Sequence, residues 1–141
     1  MMWIPPSEPV VDRHRFPHFK PERIIVEYDG PRVFTLRDAH GGLCLAYQCD
    51  ELDDLWRFTV VPTSDRLVEH FVVGRLSVAE MLDQPWGWLV DADNDGVRRA
   101  WAIDPFTLPQ SYQPISGVYL VEDHAERDLK VRTKSRLGAI A

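Results

Sequence analysis

Between Ile24 and Pro62 the chain places apolar residues at alternate positions and interrupts them with turn chemistry, which commits this stretch to antiparallel strands. IIVEYDG sets Ile24, Val26 and Tyr28 on one face and closes on Asp29-Gly30. PRVFTLRDAHGG puts Phe34 and Leu36 on one side, Val33 and Thr35 on the other, and ends at Gly41-Gly42. LCLAYQCD alternates Leu43, Leu45, Tyr47 and Cys49 against Cys44, Ala46, Gln48 and Asp50. The acidic turn ELDD then leads into LWRFTVVP, with Trp56, Phe58 and Val60 on one face. Four such runs joined by short turns make a β-meander.

The period then changes. In TSDRLVEHFVVGR the apolar residues Leu67, Val68, Phe71 and Val72 recur at helical spacing, with Thr63 or Ser64 to cap the start and Gly74 to end it. Ser77-Val-Ala-Glu80 has the form of a capping box, followed by Met81 and Leu82 and stopped by Pro85. Alternation returns in WGWLVDADNDGVRRAWAID on both sides of DNDG, so this segment reads as a hairpin. Trp86, Trp88 and Val90 share one face of its first arm; Val97, Arg99, Trp101 and Ile103 share one face of its second. A proline-rich connector leads to VYLVE, one more strand, and DHAERDLKVRTKS is ambiguous between a helical turn and a strand. The fold class expected is α+β: an antiparallel β-meander with a short helix pair inserted before a further β-hairpin.

A chain of 141 residues suits one domain, and folding at this size buries about two thirds of the unfolded surface. Residues 1–23 are proline-rich and aperiodic and read as an extended N-terminal arm; 24–126 form the α+β domain; 127–141 read as a basic C-terminal tail. The domain holds seven arginines, no lysine and eighteen acids, whereas the tail holds five basic residues against Asp128. An acidic body of this kind repels phosphate backbones and suits a basic partner. MMWIPPSEPVVDRHRF carries no signal-peptide pattern, and no apolar run approaches the roughly 20 residues that span a bilayer. Cys44 and Cys49, the only cysteines, lie five apart on one strand and so face opposite ways. Two reduced thiols in a cytoplasmic protein are expected.

DADNDG, residues 91–96, looks like the opening of a calcium loop. Such a loop starting at Asp91 needs a bidentate glutamate at its twelfth position, where Ala102 stands, and its ninth position is Arg99. A hairpin turn explains the same residues better, because Asp and Asn tolerate turn conformations and Gly96 supplies positive φ. His14 and His18 have i, i+4 spacing, but Pro17 separates them and no HExxH motif accompanies them. Phosphate-binding loops, nucleophile elbows and CxxC pairs are absent from the sequence.

Three stretches in succession, YDGPRVFTLRDAHGGLCLAYQCDE, FTVVPTSDRLVEHFVVGRLSVAEMLDQP and WLVDADNDG, resemble an uncharacterised bacterial family of small single-domain proteins. The resemblance spans about Tyr28 to Pro114 and implies the DGPR-FT start, the helix pair and the aspartate-rich hairpin as one fold. It brings no activity with it.

The leading functional expectation is a non-catalytic protein–protein interaction module, either antitoxin- or immunity-like or an adaptor, whose partner is another, basic protein. Trp86, Trp88 and Trp101 on the hairpin arms, with Asp93, Asp95, Arg98 and Arg99 about the turn, are the partner-binding residues expected. One alternative is a small-ligand binder or enzyme using Asp91, Asp93 or Asp95 with Arg98 or Arg99. Another is weak nucleic-acid binding by the basic tail. No catalytic or metal-binding residue is assigned, no cofactor and no membrane partner are expected, and a homo-oligomer is a further option.

Overall fold

The computed structural model of the protein describes residues 5, 15–123, 128–135 and 138–140. Its centre is a six-stranded antiparallel sheet whose strands lie side by side in chain order: β1 (Arg23–Glu27), β2 (Pro31–Arg37), β3 (Leu43–Glu51), β4 (Trp56–Pro62), β5 (Gly87–Asp93) and β6 (Gly96–Ile103). The helices α1 (Asp65–Val72) and α2 (Val78–Leu82) leave the sheet after β4, and the chain returns to pair β5 directly on β4. The fold is therefore α+β, with the helix pair inserted between two neighbouring strands of a meander.

Local chemistry sets both helix starts. The Ser64 side chain accepts from the Leu67 amide. In α2 the Ser77 hydroxyl accepts from the Glu80 amide while the Glu80 carboxylate accepts from the Ser77 amide, a complete capping box. Gly74, at φ +79°, carries the chain out of α1 in a left-handed conformation.

Both faces of the sheet are buried. On one, Val33, Leu43, Leu45 and Val61 meet Val68, Phe71 and Val72 of α1 and Val78, Met81 and Leu82 of α2. On the other, Phe34, Leu36, Cys44, Ala46, Phe58, Val60, Trp88 and Val90 pack with Phe16 from the segment that precedes β1. Each fully buried Leu or Phe here contributes about 1.5–3 kcal/mol relative to exposure. The alternation of Val33 and Thr35 against Phe34 and Leu36 holds because each set has its own core to enter.

Bulges change the reading in three places. In edge strand β1 register shifts on both sides of Val26 turn Ile25 inward, leaving Ile24 and Tyr28 exposed. In β3 the pairing passes from Gln48–Phe58 to Asp50–Arg57 and skips Cys49. In β6 it passes from Asp91–Arg99 to Ala92–Val97 and skips Arg98, so Val97 packs with the Trp88 core and not with Trp101.

After β6 two short 3-10 turns, Pro105–Thr107 and Gln110–Tyr112, lead to a second antiparallel sheet in the order β7 (Val118–Asp123), β8 (Asp128–Ser135), β9 (Gly138–Ile140). Of the segment ambiguous in sequence, residues 128–135 form strand β8 while 124–127 lie outside the described residues, and the described part of the basic stretch expected as a tail supplies β8 and β9. Leu120 of β7 is buried in the helix-side core. Among the described residues no helix is long and apolar enough to cross a membrane.

Candidate functional site

The acids of DADNDG separate into two structural roles. Asp93 and Asp95 stand at the hairpin tip, where Asp93 Oδ1 accepts from the Asp95 amide at 2.8 Å and Gly96 takes φ +124°. Arg98 binds both, at 2.6 Å to Asp93 and 3.4 Å to Asp95. Its hydrogen bond holds the Asp93 carboxyl below the usual carboxylate range. Asp91, two residues earlier, is fully buried and belongs to a different set of partners.

That set is a row of alternating charge laid across four strands. Asp50 on β3 pairs in register with Arg57 on β4, Arg57 with Asp91 on β5, and Asp91 with Arg99 on β6. The Arg57 guanidinium meets Asp91 in a two-pronged contact, Nε to Oδ1 at 2.7 Å and Nη2 to Oδ2 at 3.0 Å. Arg99 adds a contact to Oδ2 at 2.9 Å from its more exposed position. The Tyr112 hydroxyl, arriving from the connector, accepts from Arg57 Nη1 at 2.9 Å and donates to Asp50 Oδ2 at 2.7 Å. Burial opposes the charge on Arg57, but its bonds to Asp91 and Tyr112 outweigh burial and raise its pKa. The Trp101 ring lies within 5.5 Å of the Arg57 guanidinium carbon and 5.9 Å of that of Arg99. The members of this row bond to one another, and through Tyr112 the row ties the connector to the sheet.

The residues expected at a partner surface are therefore not assembled into one. Trp88 and Trp101 are 6% and 5% exposed and lie on opposite faces of the sheet, because Trp101 stands in register with Leu89. Trp86, at 48% exposure, packs edge-on against Trp88 with centroids 4.8 Å apart. At the tip Arg98 is shared between Asp93 and Asp95, and Arg99 is bound to Asp91.

The thiols are placed as the odd spacing requires, on opposite faces and both free. Burial pushes the Cys44 thiol up to about 11, with Asp38 adding to the effect, and burial pushes Cys49 up to about 12. At mildly alkaline pH the thiolate fraction at Cys44 is on the order of one in a thousand, since only the thiolate reacts. We expect a thiol reagent to label the native chain about a hundredfold more slowly than the unfolded chain. Equal labelling rates would refute the buried, protonated state of both. Among the described residues no three His, Cys, Asp or Glu side chains come together to hold a metal ion.

A surface not visible in the sequence pattern is the groove between α2 and the connector. Its volume is about 500 Å³, and its walls come from Glu80, Leu82, Asp83 and Gln84 on one side and Phe106, Leu108, Gln110 and Gln113 on the other. Two Gln113 bonds, from Nε2 to the carbonyls of Pro105 and Leu108 at 2.9 and 3.2 Å, fix the connector wall. Asp104 shapes the same wall by accepting from the Phe106 amide at 3.0 Å. Phe106 is left 85% exposed at the rim, and Ile115, 75% exposed, sits between the lining residues Pro114 and Ser116.

No family model, curated protein or solved structure matches this chain. The site is read from its own chemistry. The described lining of the groove contains two carboxylates, three side-chain amides and an exposed aromatic ring, with no basic side chain. An acidic wall with an apolar rim repels anions and favours a cationic, partly apolar occupant. Of its residues, the sequence signalled Glu80, through its capping box, and Leu82, through the apolar run that follows it; Phe106 and Asp83 give no periodic pattern to find.

Proposed function

We propose that this protein is a non-catalytic protein-binding module that holds an extended basic segment of a partner protein in the groove between α2 and the connector. The observation that carries this reading is the groove's composition: exposed Phe106 lines the same groove as Glu80 and Asp83, and no basic side chain in the described lining offsets those acids. A single exposed Phe on a surface is ordinary. One that rims a polar, charge-biased groove has the form of an interface anchor, which aromatic side chains commonly supply. Gln84 and Gln110, which also line the groove, supply amides that can both donate to and accept from the backbone of an extended peptide.

Charge across the domain favours the same partner. Seven arginines face eighteen acids over residues 24–126, and complementary fields of this kind speed encounter and reject like-charged competitors. Among the described arginines, Arg57, Arg98 and Arg99 are already bound to acids of the same sheet. An antitoxin- or immunity-like role, or that of an adaptor, fits such a surface, in the cytoplasm where two free thiols stay reduced.

The test is selection from a displayed random-peptide library on the intact chain. Enriched peptides should combine Arg or Lys with an apolar residue, and Asp83→Lys or Phe106→Ala should each weaken their binding by about tenfold, the loss typical of an interface anchor. Both positions are exposed, so neither change disturbs the core. Enrichment of acidic peptides, or binding indifferent to both changes, would refute the assignment.

A further inference from the structure

On the opposite face of the sheet a second cavity, of about 330 Å³, opens beside the hairpin tip. It is lined by Phe19, Phe34, Trp56 and Phe58, and its mouth carries the carboxylates of Asp29 and Asp93 and the amides of Gln48 and Asn94. Phe19, Phe34 and Phe58 form a mutual cluster with centroids 5.4–5.8 Å apart, tilted or edge to face. That packing fixes the rings before any ligand arrives. The size lies at the lower end for small-molecule sites, which pair apolar walls with a few polar groups.

The charge of the lining narrows the ligand. Among the described residues the wall itself holds no Lys, Arg or His, so an anion would meet the carboxylate of Asp29 with no basic side chain of the lining to offset it. Asp93 is shared with Arg98, whereas Asp29 forms no ion pair or side-chain hydrogen bond among the described residues. Asp29 is held at the rim by a left-handed backbone, φ +51°, at the turn between β1 and β2. Gln48 is half-buried on the aromatic face and its amide likewise bonds to no described group. Aromatic faces attract cations, above all where water is excluded. The same aromatic layer already does so within the chain, since the Arg15 guanidinium carbon sits 4.8 Å from the Trp88 ring centre.

We propose that this cavity binds a small organic cation, an ammonium group bearing compact apolar substituents, against Trp56 and the phenylalanine cluster with Asp29 as its counter-charge. The aromatic wall takes the apolar substituents, Asp29 supplies the opposite charge, and Gln48 offers an acceptor for a polar end of the ligand. The site is separate from the groove beside α2, so each assignment stands or falls alone.

The experiment is calorimetric titration of the full chain with choline, and with its uncharged carbon isostere in which a tert-butyl group replaces trimethylammonium. Choline should bind saturably in the millimolar range or tighter, and the isostere about tenfold more weakly, as loss of a cation–π contact implies. Trp56→Leu should weaken choline by about tenfold, and Asp29→Asn, which tolerates the same backbone conformation, by about threefold. Phe106→Ala should leave choline binding unchanged. Should Trp56→Leu lower stability, the indole N–H resonance of Trp56 in the wild-type chain gives an independent readout: it shifts with choline in parallel with the heat. No saturable heat, equal affinity for the uncharged isostere, or binding that ignores both substitutions overturns the proposal.

Discussion

Asp91→Ala is expected to cost about 3–5 kcal/mol of stability, read as a fall in the urea midpoint at unchanged slope. The reason lies less in the lost attraction than in what remains. Arg57 is almost fully buried, and without Asp91 its guanidinium keeps only Tyr112 as a hydrogen-bonding side chain. An unpaired charge in that position has no route to water, whereas Arg99, which is half-exposed, simply turns outward. The double change Arg57→Met with Asp91→Leu should recover most of the loss, because replacing both members by apolar groups removes the stranded charge. A single-mutant cost below about 1 kcal/mol, the range of a surface pair, would mean that the row across β3–β6 is solvated and not part of the core.

Gly74→Ala is the second large effect, about 2–4 kcal/mol, and it tests how the second sheet is docked. Two costs add at this position. A side chain at φ +79° is strained, by about 1 kcal/mol for Ala. Its Cβ would also stand 2.5 Å from the Leu120 carbonyl oxygen on β7, so α1 and β7 must separate, an overpacking cost of about 1–3 kcal/mol. Gly41 separates the two, because its φ of +78° is nearly the same and nothing lies within 4 Å of a Cβ there. Gly41→Ala should therefore cost only the conformational part, about 1 kcal/mol. Equal costs at the two glycines would place β7 away from the end of α1.

The elements that could be read from the sequence are those coded by neighbours. Turn dipeptides at Asp29-Gly30 and Gly41-Gly42, the Ser64 cap, the Ser77–Glu80 box and the Asp95-Gly96 turn each act within a few residues, and each lies where the pattern placed it. What the pattern missed depends on partners far along the chain. Arg57 and Asp91 are 34 residues apart, and Asp50 and Tyr112 are 62 apart, so nothing local announces a charge row. Alternation also fails wherever a bulge inserts a residue, since one extra residue reverses the face of all that follows. That is why Val97 leaves Trp101, and why Asp50 rather than Cys49 stands opposite Arg57.

The same physics explains the candidate site. Tryptophans on hairpin arms suggested a recognition face, but an antiparallel sheet covered on both sides consumes Trp88 and Trp101 as core, one on each face, and leaves only Trp86 exposed. The groove is instead built from an irregular connector, where binding surfaces often lie and where periodicity is silent. Gln113 and Asp104, which hold that connector in place, look like ordinary polar loop residues until their carbonyl and amide partners are known.

The most direct test compares two variants for binding of a peptide selected on the wild-type chain. One carries Asp83→Ala with Phe106→Ala in the groove; the other carries Asp93→Ala with Asp95→Ala at the hairpin tip. The groove variant should lose binding by tenfold or more while the tip variant keeps it, in line with anchors dominating an interface. Loss at the tip with full binding in the groove variant would contradict the assignment and return recognition to the aspartate-rich hairpin.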